Sequence, residues 1–155
     1  MNSDHHKEQR QAAVVQPKGG LLLRTLAMPA DTNANGDIFG GWIMSQMDIA
    51  GGILAKEVAL GRTATVAVDG MKFHRPVKVG DIVCCYGEVQ RLGTTSITIH
   101  LEVWVRPALR KNEDPHSRFK VTEANFVFVA IDDAGQKRSL PKQAKSDLGD
   151  PNYSN

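Results

Sequence analysis

Residues 33–48 read NANGDIFGGWIMSQMD, and they hold the glycines and carboxylates best spaced to do chemistry. On a helix, residues three and four apart share a face, so Gly41, Ser45, Asp48, Gly52 and Ala55 fall on one stripe. Every member is small except Asp48, and small residues let a ligand or a second backbone come close. A carboxylate in the middle of such a stripe, flanked by Met44 and Met47, suits general-base or general-acid work. The alternative is an acid at the rim of the core with no chemical role.

Gly40 and Gly41 stand where that helix begins. The first turn of a helix carries N–H groups without internal partners. Glycines let a substrate oxygen approach those donors, and one such oxyanion-hole donor is worth about 3 kcal/mol in a transition state. A glycine pair that only turns a loop into a helix explains the same residues. Asn35-Gly36 is a turn signal. Asp37 is placed either to stabilise the helix start or to join the site. Phe39, Met44 and Met47 are candidates for an apolar lining, although methionines at helical spacing also fill cores. His74 and Arg75, with Lys72, Lys78 and Arg91, lie near expected strand ends, where they meet either phosphates or solvent.

The element carrying the stripe is a helix expected from Gly40 to about Leu60, with Gly61 as its C-terminal stop. At 1.5 Å per residue it is roughly 30 Å long. It is the only long helix in the pattern. A strand precedes it at 21–28, and afterwards the period switches to two, over 64–73, 82–91, 96–106 and 119–131. In the third of these, Ile97, Ile99, Leu101, Val103 and Val105 alternate with Ser96, Thr98, His100, Glu102 and Trp104. That is a half-buried antiparallel pattern, with His100 on the exposed face. The last strand is apolar on both faces in its second half, as a central strand is. Short turns between successive strands make an antiparallel sheet, and one helix covers one face of it. The expected fold class is α+β, a curved antiparallel sheet of about five strands wrapped around one central helix. Residues 1–19 read as a tail, 20–140 as the domain, and 141–155 as a frayed C-terminal tail. The charged loop 107–117 is expected to do no chemistry.

A chain of 155 residues fits one domain. Its net charge of +2 excludes the wholesale basic field of nucleic-acid binders. Cys84 and Cys85 are adjacent, so on a strand they point to opposite faces and do not pair. There is no disulfide framework and no zinc spacing, which fits a reducing cytoplasm. The N-terminus lacks a signal-peptide core, and no stretch approaches the ~18 apolar residues of a membrane span.

The segments LLLRTLAMPADTNANGDIFGGWIMSQMDIAGGILA, TVAVDGMKFHRPVKVGD and ITIHLEVWV carry a family resemblance. They resemble the hotdog-fold superfamily and, within it, the YciA-like bacterial acyl-CoA thioesterases, over about residues 20–140. The resemblance implies subunits paired sheet edge to sheet edge, three such dimers per assembly, and active sites at subunit interfaces. It implies hydrolysis of acyl-CoA thioesters. Asp48 matches the family's catalytic carboxylate, and the Gly40-Gly41 amides match the thioester-carbonyl site. Asp37 matches a second polar position, reaching from the other subunit. Asp48 then either activates a water or attacks to form a mixed anhydride. Arg75, Arg91 and the Thr94-Thr95-Ser96 turn are the candidates for the CoA phosphates, and Asn35 and Phe39 for further substrate contact. No metal or redox cofactor is implied, and CoA enters as part of the substrate.

Two other functions share such a fold. An enoyl-thioester hydratase pairs a histidine with an acid near this helix, but residues 29–60 contain no histidine, leaving only His74. A non-enzymatic acyl-CoA sensor needs an appended DNA-binding segment, for which the N-terminal tail is too short. Hydrolysis is the expected activity.

Overall fold

The computed structural model describes residues 15–114 and 116–147. Its elements are β1 (Gly20–Leu26), a 3-10 turn (Pro29–Asp31), α1 (Gly40–Ala59), β2 (Thr63–Phe73), β3 (Ile82–Leu92), β4 (Ser96–Arg106), β5 (Phe119–Ala130) and α2 (Lys142–Asp147). The strands form one antiparallel sheet in the order β1-β3-β4-β5-β2. β3, β4 and β5 are joined in series, while β2 lies at the far edge beside β5. This is the α+β architecture that the strand and helix periods imply.

The alternation in β4 sends Ile97, Ile99, Leu101, Val103 and Val105 inward, and all are buried. Phe126 and Phe128 join them from β5, and α1 closes the core with Ile43, Met47, Ala50, Ala55 and Val58. Helix and sheet approach closely at Gly51. A Cβ there would stand 2.8 Å from the Phe128 ring and 3.0 Å from Leu101 Cδ1. Glycine therefore lets α1 settle onto the sheet. Among the described residues no helix is long and apolar enough to cross a membrane.

Four features differ from the sequence expectation. The left-handed residue that ends α1 is Leu60 (φ 53°, ψ 43°), not Gly61. Gly61 instead leaves room for Arg138, whose guanidinium would lie 2.8 Å from an added Cβ and donates to the Ala59 carbonyl at 2.9 Å. The glycine thus serves a side chain that caps the helix end. Residues 142–147 form a short helix rather than a fray, and Leu140 before it and Ala144 within it are buried in the core. The rest of the expected C-terminal tail, 148–155, lies outside the described residues.

The N-terminal tail also ends earlier than residue 19. Gly19 (φ 84°) lies against the Gly87 backbone, and the Lys18 amide donates to Glu102. Residues 1–14 of that tail lie outside the described residues. Finally, the outer face of β4 is not exposed. Glu102 is 2% exposed and Trp104 4%. The Trp104 indole donates to Glu102 Oε1 at 2.9 Å, and His100 Nε2 lies 3.0 Å from Oε2. The Glu102 carboxylate is thus satisfied from three sides. Burial works to raise its pKa, but the bonds from Trp104, His100 and Lys18, with the nearby charge of Lys120, hold it below the usual glutamate value.

Candidate active site

α1 starts without a side-chain cap. Phe39 stands at the N-cap in extended backbone, and its carbonyl accepts from the Trp42 amide at 3.1 Å. The amides of Gly40 and Gly41 have no acceptor among the described residues. They are the free donors that a helix start leaves. Gly40 has the Phe73 ring beside it, and Gly41 the Phe39 ring.

Two clefts open on either side of this helix start. The first, about 330 Å³, is lined by Gly41, Met44, Ser45, Asp48, Thr65, Val68 and Phe126. Two small members of the stripe, Gly41 and Ser45, therefore share one cavity with the carboxylate. The stripe then turns into the core at Ala55, which is fully buried. Asp48 Oδ1 accepts a 2.5 Å hydrogen bond from the Thr65 hydroxyl of β2. Ser45 donates its own hydroxyl to the Trp42 carbonyl at 2.7 Å, an internal helix contact. Asp48 is the acid of this cleft, and the Ser45 proton is already engaged.

The second cleft, about 320 Å³, is lined by Asn33, Asp37, Ile38, Gly40, Ile43, Phe73, His74, Arg75, Pro76 and Val77. Asn33 shapes its mouth: its side-chain oxygen accepts from the amides of Asn35 at 2.9 Å and Asp37 at 3.1 Å. Asp37 is ion-paired with Lys78. Arg75 donates to Glu113 Oε1 at 3.2 Å and stacks 3.7 Å above the Phe119 ring. Below the cleft, Asp81 is fully buried and held by Arg110 through bonds of 2.6 and 3.1 Å. The Lys78 amide donates to the same carboxylate at 2.9 Å. The loop 107–117 thus does structural work: its Arg110 ties down the segment that carries Arg75 and Lys78.

Within one chain, Asp37 and Asp48 line different clefts, with Gly41 beside Asp48 in the first and Gly40 beside Asp37 in the second. Asn35 is exposed on the mouth of the Asp37 cleft and contacts Asn33. Arg91 lies elsewhere, lining a cleft with Asp69, Gln90, Thr98, Asn125 and Val127. Thr94, Thr95 and Ser96 line neither cleft beside the helix start. Their turn is fastened by its backbone, with Thr95 accepting from Ala130 and Thr94 from Leu140, each at 2.9 Å. The residues that the sequence does not single out are Thr65, Asn33 and Arg110. Asn33 had a signal, since Asn favours such local loop bonds; the other two act across elements.

Cysteine chemistry is disfavoured. Burial pushes the Cys85 thiol up to about 12, and burial raises Cys84 as well. Neither is a ready thiolate at neutral pH. One triad among the described residues, His100, Glu102 and Glu123, brings three ligand-type atoms within 4.8 Å of one another. It lies on the outer sheet face, away from both clefts. Its members already bond one another, Trp104, Asn125 and Lys120.

A family model described as the thioesterase superfamily matches residues 35–109. Over 127 residues the chain is 62% identical to the acyl-CoA thioester hydrolase YciA of Salmonella typhimurium, spanning 82% of this chain and 94% of that protein. The Escherichia coli K12 protein of the same name is 62% identical over 125 residues, spanning 81% and 93%. The crystal structure of a hexameric thioesterase from Yersinia pestis superposes with a TM-score of 0.75 at 60% identity, covering 82% of this chain and 99% of that one. A sheet wrapped on one helix, free amides at the helix start and this degree of identity agree with one another, and the chain belongs to the thioesterase superfamily, among the YciA-type acyl-CoA thioester hydrolases.

Proposed function

We propose that the protein hydrolyses the thioester of acyl-CoA, releasing a carboxylic acid and CoA. The observation that carries this is the Asp48 cleft, where a carboxylate and a free helix-start amide face one cavity. The relatives' names favour hydrolysis over the hydratase and sensor readings. In the proposed reaction the carbonyl oxygen rests on the Gly40-Gly41 amides, which hold the negative charge that develops there. Asp48 takes a proton from water as the water oxygen bonds to the carbonyl carbon. The carbon–sulfur bond then breaks, and the proton passes to the leaving CoA sulfur. Direct attack by Asp48, giving a mixed anhydride that water then opens, balances equally well.

Asp37 completes the site from a second subunit, since within one chain it lines a separate cleft. Phe39 and Met44, both exposed beside the helix start, are assigned to the acyl chain. Arg75, in the Asp37 cleft, is the best placed of the candidate phosphate ligands; Arg91 and the Thr94-Thr95-Ser96 turn serve only if a neighbouring subunit brings them near. The assembly is a hexamer built of three dimers, by analogy with the Yersinia pestis thioesterase described as hexameric. The reaction as proposed needs no resident cofactor. Two buried free cysteines fit a cytoplasmic setting.

The test is thiol release from a panel of acyl-CoA substrates. Asp48→Asn, with unchanged melting behaviour, should lose about 10²–10⁴-fold in kcat. Near-normal turnover by that variant overturns the role of Asp48. Absence of turnover by the wild-type protein on every acyl-CoA overturns the activity.

A further inference from the structure

The outer face of the sheet carries a second cleft of a different character. Thr25 bonds Gln46 of α1 and so faces inward. Its neighbour Arg24 therefore points to the other side, because successive strand residues alternate. Arg24 pairs with Cys84 across β1 and β3, and Cys84 pairs with Trp104 across β3 and β4. Around that row lies a cleft of about 270 Å³ lined by Leu21, Arg24, Cys84, Tyr86, Arg106, His116 and Arg118. It contains no carboxylate.

The three guanidiniums share one cleft, and among the described residues nothing acidic answers them. Arg75 and Arg110 are paired with Glu113 and Asp81, and Arg62 and Arg138 donate to backbone carbonyls. Arg24, Arg106 and Arg118 have no carboxylate or carbonyl partner among the described residues. Arg118 lies over the Trp104 ring, 5.8 Å from its centre. All three also act electrostatically on the Cys84 thiol, which places their charges around one point. The nearest buried acid, Glu102, is already held by Trp104, His100 and Lys18. The Tyr86 hydroxyl has no acceptor among the described residues.

The geometry points to a binding site for a phosphate-bearing organic anion at this cleft, with Arg24, Arg106 and Arg118 as its charged ligands. Three like charges held together repel one another, and a multiply charged oxyanion removes that repulsion. Guanidinium forks match phosphate oxygens in pairs. A cleft of about 270 Å³ is the share of about nine liquid waters, more room than orthophosphate alone needs. Leu21 and the Tyr86 ring offer an apolar wall for the remainder of the ligand. The site lies on the opposite side of the sheet from Asp48, so in one chain it is separate from the hydrolytic cleft.

The shared chemistry is a nucleoside phosphate, and it has two sources: the nucleotide half of acyl-CoA held by a neighbouring subunit, or an independent nucleotide. Calorimetric titration of the full-length protein with the adenosine bisphosphate of CoA, and separately with pyrophosphate, tests the site. Saturable binding is expected in wild type and in Asp48→Asn alike. It should weaken about tenfold or more in Arg24→Gln/Arg118→Gln, and Arg24→Lys should weaken it less, since lysine keeps the charge without the fork. No saturable binding of either anion at millimolar concentration overturns the proposal, as does equal affinity in the double variant. A raised KM for acyl-CoA at unchanged kcat in the double variant identifies the substrate's own nucleotide as the occupant. An unchanged KM identifies an independent one.

Discussion

Asp48 is oriented by one side chain, and that side chain comes from the sheet edge. The Thr65 hydroxyl donates to Oδ1 at 2.5 Å from a strand that begins after α1 has ended. A hydrogen bond to a charged group contributes about 1.5–3 kcal/mol net, and 1.36 kcal/mol is a factor of ten in rate. Thr65→Val should therefore lower kcat roughly tenfold or somewhat more while leaving KM near wild type, because the bond aims the carboxylate rather than binding substrate. Thr65→Ser should retain most of the rate. A valine variant with wild-type kcat in the thiol-release assay would remove Thr65 from the site. Nothing in the sequence announces this residue. Spacing arguments work inside one element, and here the donor and acceptor are 17 residues apart on different elements. Asp48 itself was legible because the other members of its helical stripe, Gly41, Ser45, Gly52 and Ala55, are all small. Asp37 was legible only as a residue near a helix start, since its ion pair with Lys78 depends on how the segment after β2 folds back.

At the scale of elements, the switch from a period of 3.6 to a period of two was enough to place α1 and β4 within a residue of their observed ends. The outer face of β4 was misjudged for a physical reason. Alternation marks which side chains point outward, but not whether something covers them, and Glu102 and Trp104 are covered by one another, by His100 and by the Lys18 segment. The short α2 escaped because six residues carry too little periodicity to read. The helix–sheet contact offers a sharper test of packing than any boundary. Gly51→Ala places a methyl group 2.8 Å from Phe128 and 3.0 Å from Leu101, against a buried ring with little freedom to yield. Overpacking of this kind costs about 1–3 kcal/mol, so urea denaturation should show a lower midpoint. Gly52→Ala is the control, with nothing within 4 Å of its added Cβ; it should be neutral or slightly stabilising, because alanine has the higher helix propensity. Equal midpoints for the two variants would mean that α1 can lift from the sheet without cost.

For the whole molecule, the unusual surface is the β2 edge. Seven of its eleven residues are exposed, among them Val66, Val68 and Phe73. Met44 of α1, also exposed, lies beside Val68 in the Asp48 cleft and adjoins this edge. A long apolar edge left open invites pairing with another chain, and β2 also supplies Thr65 and Val68 to the Asp48 cleft. Pairing of two copies along β2 would wall that cleft and cover the apolar strip together. A twofold contact sets each residue near its own copy or a symmetric neighbour, so a charge placed there acts on both subunits at once. Val66→Lys should therefore shift sedimentation from the assembled species toward the 16.9 kDa chain and should lower kcat in step with the loss of assembly. Raising the protein concentration should recover both. A variant that sediments as a monomer at full activity would show that one chain holds a complete site, leaving Asp37 no role across an interface. A variant that stays assembled would move the interface away from the β2 edge.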